Sequence, residues 1–138
     1  MRRAVVTGAS SGIGRATVAL FREHGWEVVG VARRADRLAE LAAETGADTV
    51  VADVTVAEDV ARVREAVDAL GGASVLVCNA GGAIGLDSVE ASSPDDWRRM
   101  FEVNVIGTQR MIASLLPTLR ASTTAGGTAS LVGITSIA

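Results

Sequence analysis

The sequence of 138 residues contains no tyrosine and no lysine, and it has one histidine, one cysteine and two prolines. A single cysteine excludes an internal disulfide, and one histidine with one cysteine provides no cluster of metal ligands. The thirteen cationic side chains, all arginine, are outnumbered by sixteen acidic ones, so the net charge is −3. Because nucleic-acid binding requires a basic surface, this balance excludes nucleic acid as the expected partner and favours a small-molecule ligand.

The composition also limits the size and location of the protein. With 49% hydrophobic and 21% charged residues, the chain has room for one folded domain, residues 1–138. The amino terminus carries two arginines and an apolar run that is too short for a signal peptide. We therefore expect a cytoplasmic protein without a membrane partner.

Short β-branched runs alternate with segments of helical periodicity along the chain. The runs cover residues 4–8, 27–32, 49–54, 74–81 and 130–136. Each run is nearly continuously apolar, which is typical of strands that are buried on both faces. Because strands separated by helices are joined by crossovers, the sequence predicts an α/β fold with a doubly wound parallel sheet.

Three of the intervening segments have apolar positions at helical spacing. The first predicted inward face consists of Ile13, Ala16, Thr17, Leu20 and Phe21. The second consists of Val56, Val60, Val63, Val67 and Leu70. Thr55 and Glu58 have the spacing of a capping box at the start of that helix. A longer helix is predicted to begin at Ser93 and to direct inward Trp97, Phe101, Met111, Leu115 and Leu119.

A glycine cluster, TGASSGIG at residues 7–14, lies where the first strand turns into the first helix. Glycines allow a tight turn and let a pyrophosphate approach the backbone, and the helix amino terminus offers free N–H groups with partial positive charge. The cluster therefore predicts a phosphate-binding turn formed by Gly8, Ser10, Ser11, Gly12, Ile13 and Gly14.

The same letters allow a second interpretation. Residues 8–12 satisfy G-x-S-x-G, the nucleophile elbow of serine hydrolases, with Ser10 as the nucleophile. That chemistry requires a histidine base, and His24 lies near the far end of the following helix, roughly 18 Å away at a rise of 1.5 Å per residue. A serine hydrolase that uses Ser10 thus remains an alternative only if a histidine comes from elsewhere.

Five motifs in order extend over the whole chain: TGASSGIG at 7–14, ADV at 52–54, NAG at 79–81, VNVIGT at 103–108 and ITSIA at 134–138. By these motifs the chain resembles the short-chain dehydrogenase/reductases. The resemblance implies a Rossmann-like sheet. It also implies hydride transfer between a nicotinamide cofactor and a small alcohol or carbonyl substrate.

The residues after the second strand predict which nicotinamide cofactor is used. A dinucleotide fold contacts the adenosine ribose at this point, and an acidic residue there would repel a 2′-phosphate. Arg33 would attract that phosphate instead, so NADP is predicted rather than NAD. Arg34 and Arg37 are interpreted as ordinary solvated arginines.

Two further strand ends are expected to contact the cofactor. Asp53 ends the third predicted strand, where its carboxylate accepts either from the adenine amino group or from the turn into the next helix. By resemblance, Val54 belongs to the same adenine-contact segment. Asn79, Ala80 and Gly81 follow the fourth strand beside the expected path of the cofactor, with Asn79 expected to brace neighbouring backbone. Cys78, at a buried strand end, is interpreted as a small hydrophobic residue.

The catalytic candidates are Asn104 and Ser136. Asn104 is predicted to point into the core from its helix, and by resemblance it holds a water of a proton relay. Ser136 is predicted to end the fifth strand, and by resemblance its hydroxyl donates to the substrate carbonyl oxygen. Thr135 is the alternative donor, although the two-residue period of a strand directs it to the opposite side.

The family also uses a tyrosine and a lysine four residues apart, and neither occurs here. The last strand, apolar on both faces, would moreover lie unprotected at a sheet edge if nothing followed it. We therefore expect the fold to be incomplete at its carboxyl end, before the last helices and strands. By resemblance, the complete protein forms a homo-oligomer. The non-catalytic alternative is a module that binds NADP without turnover.

Overall fold

The computed structural model describes residues 2–136, with five strands and five α-helices in these residues. The strands are Arg3–Thr7 (β1), Glu27–Ala32 (β2), Asp48–Val51 (β3), Val75–Cys78 (β4) and Ser130–Gly133 (β5). The helices are Gly12–Glu23 (α1), Ala35–Thr45 (α2), Ala57–Ala69 (α3), Pro94–Phe101 (α4) and Gly107–Thr124 (α5). A π-helical segment, Glu102–Ile106, connects α4 with α5. Each strand begins within one residue of the start of a predicted run, whereas β3, β4 and β5 end three residues before their runs do.

All five strands are parallel, in the order β3-β2-β1-β4-β5. The chain moves outward from β1 through β2 to β3, and then returns to the other side of β1 with β4. The order in which the chain adds strands thus reverses between β1 and β4. At such a switch point a crevice opens at the carboxyl ends of the strands, and ligands bind there in open α/β sheets. The predicted doubly wound Rossmann-like fold is confirmed, and its switch point lies between β1 and β4.

The sheet is covered on both faces by separate apolar cores. On one face, Val5, Val29 and Leu76 pack with buried residues of α3 and α5. On the other face, Val6 and Val28 pack with Val18 of α1 and with α2. Since successive residues of a strand point to opposite faces, this alternation explains why the strands read as continuously apolar.

The predicted inward face of α1 is wrong. Ile13 is 62% exposed and Leu20 is 57% exposed, whereas Gly14 and Val18 are the buried positions of this helix. The helix lies against the sheet through Gly14, where the absence of a side chain allows the closest approach. A hydrophobicity pattern does not detect a glycine as the contact residue, so the predicted face is rotated away from the observed one.

The predicted start of α3 is also wrong. The helix begins at Ala57 after Val56, and no side-chain cap is present. Thr55 lies in the preceding turn, where its hydroxyl donates to Oδ1 of Asp53 at 2.7 Å. Because the Asp53 carboxylate holds this hydroxyl, Thr55 does not cap the helix with Glu58. Val56 is correspondingly exposed, while Val60, Val63 and Val67 are buried as predicted.

The third predicted helix corresponds to α4, the π-helical segment and α5, and the direction of its buried face changes at the π-helical segment. Met111, Leu115 and Leu119 are buried as predicted, but Trp97 is 54% exposed and Phe101 is 57% exposed. The π-helical segment between the two groups has a wider turn than an α-helix, so the residues before it are rotated relative to those after it. The predicted inward direction of the first half of this helix is therefore wrong.

The strand β5 forms one edge of the sheet in the described residues. All four of its residues are exposed, including Leu131 and Val132. The strand ends at Gly133, so Ser136 lies three residues beyond it and does not end the strand as predicted. Among residues 2–136, none of the helices has both the length and the apolar character that a membrane span needs.

Candidate cofactor-binding site

The carboxyl ends of β1 and β4 are joined by side-chain hydrogen bonds. The hydroxyl of Thr7, which is buried, accepts from the backbone N–H groups of Asn79 (3.0 Å) and Ala80 (2.9 Å). In return, Nδ2 of Asn79 donates to the carbonyl oxygens of Thr7 (3.2 Å) and Gly8 (3.4 Å). Asn79 thus braces neighbouring backbone, and the two strand ends at the switch point are held in one position.

The glycine turn between β1 and α1 depends on the absence of side chains. Gly8 and Gly12 have φ angles of +65° and +54°, in the region that favours glycine. A Cβ on Gly14 would collide with the carbonyl oxygen of Gly8 and would lie 2.6 Å from Nδ2 of Asn79. Gly14 therefore brings α1 directly against the turn and against Asn79.

The turn leaves the amino terminus of α1 open. Ser11 precedes the helix without a side-chain cap, and the first intrahelical bond runs from Arg15 N to Ser11 O at 3.2 Å. The N–H groups of the first turn, whose partners a helix does not supply, therefore face an anion-binding position. A side chain at Gly12 would meet no atom within 4 Å, which is the open space that a phosphate needs beside the backbone.

A cavity of about 330 Å³ lies in front of this turn. It contains every predicted cofactor-binding residue except Gly14, which lies behind the turn: Gly8, Ser10, Ser11, Gly12, Ile13, Arg33, Asp53, Val54, Asn79, Ala80 and Gly81. A second cavity of about 420 Å³ shares Arg33, Asp53 and Gly81 with the first. Together they form one cleft along the carboxyl ends of the strands.

Two arginines follow β2 and line the first cavity. Arg33 also lines the second cavity, while Nη2 of Arg34 donates to Oγ of Ser10 (3.2 Å) and Ser11 (3.3 Å). Arg34 is exposed, as predicted, but it also crosses from β2 to the glycine turn, a contact that was not predicted. The adjacency of β1 and β2 in the parallel sheet is the signal that would have found this contact. Arg37 is exposed and lines neither cavity.

The environment of Ser10 does not resemble that of a hydrolytic nucleophile. Ser10 is 6% exposed, and its hydroxyl accepts from Arg34. His24, the chain's single histidine, caps the opposite end of the twelve-residue helix α1, with Nδ1 2.9 Å from Leu20 O. The sequence therefore provides Ser10 with no histidine base.

Asp53 lies two residues after β3, at the cavity wall. Its Oδ1 accepts from the backbone N–H of Thr55 at 2.9 Å as well as from the Thr55 hydroxyl. Its own N–H donates to Oδ2 of Asp59 at 2.9 Å, and this bond is the main cause that lowers the pKa of Asp59. Asp53 thus has the predicted turn-capping role. Both hydrogen bonds from Thr55 go to Oδ1, so neither occupies Oδ2 of Asp53.

Asn104 lies in the π-helical segment and is exposed, so the prediction that it points into the core is wrong. Its Oδ1 accepts from Gly82 N at 2.9 Å and its Nδ2 donates to Gly82 O at 2.8 Å. A Cβ on Gly81 would collide with the same Oδ1. The amide therefore holds the loop after β4 by both of its ends, at the border of the second cavity.

The remaining predicted residues flank this cleft. Ser136 and Thr135 are exposed and follow β5 on the carboxyl side of the sheet. Cys78 is 6% exposed at the end of β4, and burial raises the pKa of its thiol to about 11, as an unreactive cysteine requires. No group of three or more potential metal ligands occurs within residues 2–136.

The comparisons with known proteins identify the family. The family model described as short chain dehydrogenase matches residues 2–138, and the chain belongs to this family of oxidoreductases. An uncharacterized oxidoreductase of Mycobacterium tuberculosis is 49% identical over 137 residues, which cover 99% of this chain and 52% of that protein. The chain thus spans about half the length of the curated relatives that it matches.

Two solved structures have the same fold. The 3-ketoacyl-(acyl-carrier-protein) reductase from Brucella melitensis, complexed with NADH, has a TM-score of 0.92 at 31% identity, over 98% of this chain and 57% of that one. The L-sorbose reductase from Gluconobacter frateurii, complexed with NADPH and L-sorbose, has a TM-score of 0.85 at 34% identity, over 99% of this chain and 52% of that one. Structural relatives therefore include complexes with either nicotinamide cofactor.

Proposed function

We propose that the full-length protein is an NADP(H)-dependent short-chain dehydrogenase/reductase, which transfers hydride between the nicotinamide and an alcohol or carbonyl substrate. The observation that carries the choice of cofactor is the pair Arg33 and Arg34, which enters the cavity directly after β2 where NAD recognition calls for an acidic residue. The choice of reaction is supported by family membership.

Each part of the cleft has a role in this proposal. The N–H groups at the start of α1, from Gly12 onward, bind the pyrophosphate. Arg33 binds the 2′-phosphate, and Arg34, held by Ser10 and Ser11, adds positive charge beside it. Asp53 and Val54 contact the adenine. The cofactor, when bound, supplies or accepts the hydride.

On the substrate side, Ser136 donates a hydrogen bond to the carbonyl oxygen, where negative charge develops as hydride arrives. Asn104 fixes the loop after β4 and holds a water of the proton relay. Since no tyrosine or lysine occurs in the sequence, the proposal includes a tyrosine and a lysine four residues apart in the full-length protein. Residues 1–138 are then one dinucleotide-binding domain of a cytoplasmic, homo-oligomeric enzyme.

The charge of the arginine pair provides the test. In the full-length protein, NADPH is expected to bind more tightly than NADH, and Arg33→Asp is expected to invert the order because it replaces attraction of the 2′-phosphate by repulsion. Fluorescence titration of both cofactors measures the two affinities. The matched control is Arg37→Asp, an exposed position on the same segment that lines neither cavity, and it should leave the order unchanged. Equal affinities in the unmodified protein would refute the NADP assignment.

The absence of tyrosine and lysine also supports a second candidate, a module that binds NADP without turnover. Sequencing the reading frame past Ala138 separates the two. A tyrosine and a lysine four residues apart support the enzyme, whereas a stop codon supports the binding module.

A further inference from the structure

An arginine outside the predicted site connects two walls of the cleft. Arg110 lies in α5, and its Nη1 donates both to the carbonyl oxygen of Thr55, at 3.1 Å, and to Oε1 of Glu102, at 2.5 Å. Thr55 belongs to the turn after β3 that carries Asp53, and Glu102 begins the π-helical segment that carries Asn104. One guanidinium nitrogen therefore joins the adenine side of the cleft to the segment that holds the loop after β4.

Glu102, the partner of Arg110, has a negative charge that would repel the phosphates of the proposed dinucleotide. Glu102 lines the second cavity together with Arg33 and Arg99, and the other acidic residue in that lining is Asp53. A carboxylate in this wall repels a dinucleotide phosphate unless it is neutralised. Arg110 supplies the neutralising charge from the side of α5, and its side chain is 28% exposed. Because the Glu102 side chain is 41% exposed, solvent and salt still screen part of this attraction.

We propose that Arg110 is a positioning residue for the dinucleotide site, an inference that rests on the proposed function. It holds the Glu102 carboxylate away from the phosphate bound by Arg33, and it fixes the spacing between the Thr55 turn and the π-helical segment. Loss of Arg110 frees a negative charge in the cavity wall that Arg33 shares. Loss of Arg110 should therefore weaken the binding of NADPH, which has an additional phosphate, more than the binding of NADH.

The test compares cofactor affinities in the full-length protein. Arg110→Ala is expected to weaken NADPH binding by about tenfold, the scale of one charge-assisted hydrogen bond, with a smaller effect on NADH. The loss should shrink at high ionic strength, because salt screens the released Glu102 charge. The double variant Arg110→Ala/Glu102→Gln should recover the preference for NADPH, since it removes that charge.

Arg64 provides the matched control. It lies in α3, where it pairs with Asp68 and donates to Ser114 O of α5, but it lines neither cavity. Arg64→Ala should leave both affinities as in the unmodified protein. If it causes the same selective loss as Arg110→Ala, the effect is one of general packing and the inference is overturned.

A second variant keeps the inference testable if Arg110→Ala does not fold. Arg110→Gln retains a donor for the Thr55 carbonyl oxygen but not the charge, and it should still lose NADPH affinity in a salt-dependent way. A salt-independent loss, or none, would overturn the role of Arg110. If the unmodified protein itself binds neither cofactor, the proposed function fails instead, which the titration of that protein shows separately.

Discussion

The two sides of the cleft are constructed in different ways. At the switch point between β1 and β4, Thr7 is buried, Gly14 lies against backbone, and Asn79 bridges the two strand ends. On the side of the π-helical segment, Asn104 is exposed and holds the loop after β4 through Gly82. The first side is fixed by close backbone contacts, and the second by hydrogen bonds at the surface.

This difference separates binding from chemistry. The residues that are proposed to bind the cofactor lie where a small change in backbone position is opposed by the core of the sheet. The residues proposed to act on the substrate, Asn104 and Ser136, lie on segments with few buried neighbours. Substitutions at the switch point should therefore affect stability and cofactor affinity together, whereas substitution of Ser136 should affect turnover alone.

The largest effect is expected from Gly14→Ala. The added Cβ would collide with the carbonyl oxygen of Gly8 and crowd the amide of Asn79, so α1 must move away from the turn. Overpacking of this kind costs about 1–3 kcal/mol of unfolding free energy. Displacing the phosphate-binding N–H groups should also lower NADPH affinity by about a hundredfold. Denaturant unfolding and cofactor titration measure the two effects.

The matched control for this change is Gly133→Ala in β5. A Cβ at Gly133 would meet no atom of the described residues within 4 Å, so in a protein of residues 1–138 the unfolding free energy should change by less than about 0.5 kcal/mol and cofactor affinity should stay the same. Similar losses at the two glycines would contradict the contrast between the sides.

The next largest effect is expected from Ser136→Ala in the full-length protein. If Ser136 donates to the oxygen on which charge develops, kcat should fall by about a hundredfold, as for the loss of one oxyanion donor. Because Ser136 lies outside both cavities, NADPH affinity should remain unchanged. Steady-state kinetics with Thr135→Ala as the control would decide the role. Undiminished turnover in the Ser136 variant would transfer the role to Thr135 or remove it.

The sequence predicted this architecture well, and the reasons are local. Buried parallel strands are continuous β-branched runs, so the start of each strand was found within a residue, although the last three were predicted three residues too long. The glycine turn was recognised because φ angles such as that of Gly8 require glycine. It was harder to predict which face of each helix is buried. A π-helical turn has no signature in the 3.6-residue period, so the directions of Trp97 and Asn104 were missed.

Side-chain hydrogen bonds, both across the sheet and within a single turn, were the other source of error. Arg34 reaches Ser10 because β2 lies beside β1, and Thr55 gives its hydroxyl to Asp53 rather than to its own helix. Each of these contacts is one of several that the residue type allows. The choice among them depends on the folded backbone, which a linear pattern does not specify.

The smallest effect is expected at Cys78, on the closely packed side of the cleft. Burial raises the pKa of its thiol from the ordinary value of 9.0 to about 11, so the unfolded chain ionises before the folded protein does. The contribution of the neutral thiol to stability is therefore complete below about pH 9 and is lost as the pH rises towards 11. The unfolding free energy of the unmodified protein should fall more steeply over this interval than that of Cys78→Ala.

Alkylation of Cys78 by iodoacetamide at pH 8 should be slow until the protein is unfolded. A thiol that reacts in the folded protein as fast as a free cysteine would show that the floor of the cleft opens at β4, and the contrast between its two sides would be lost.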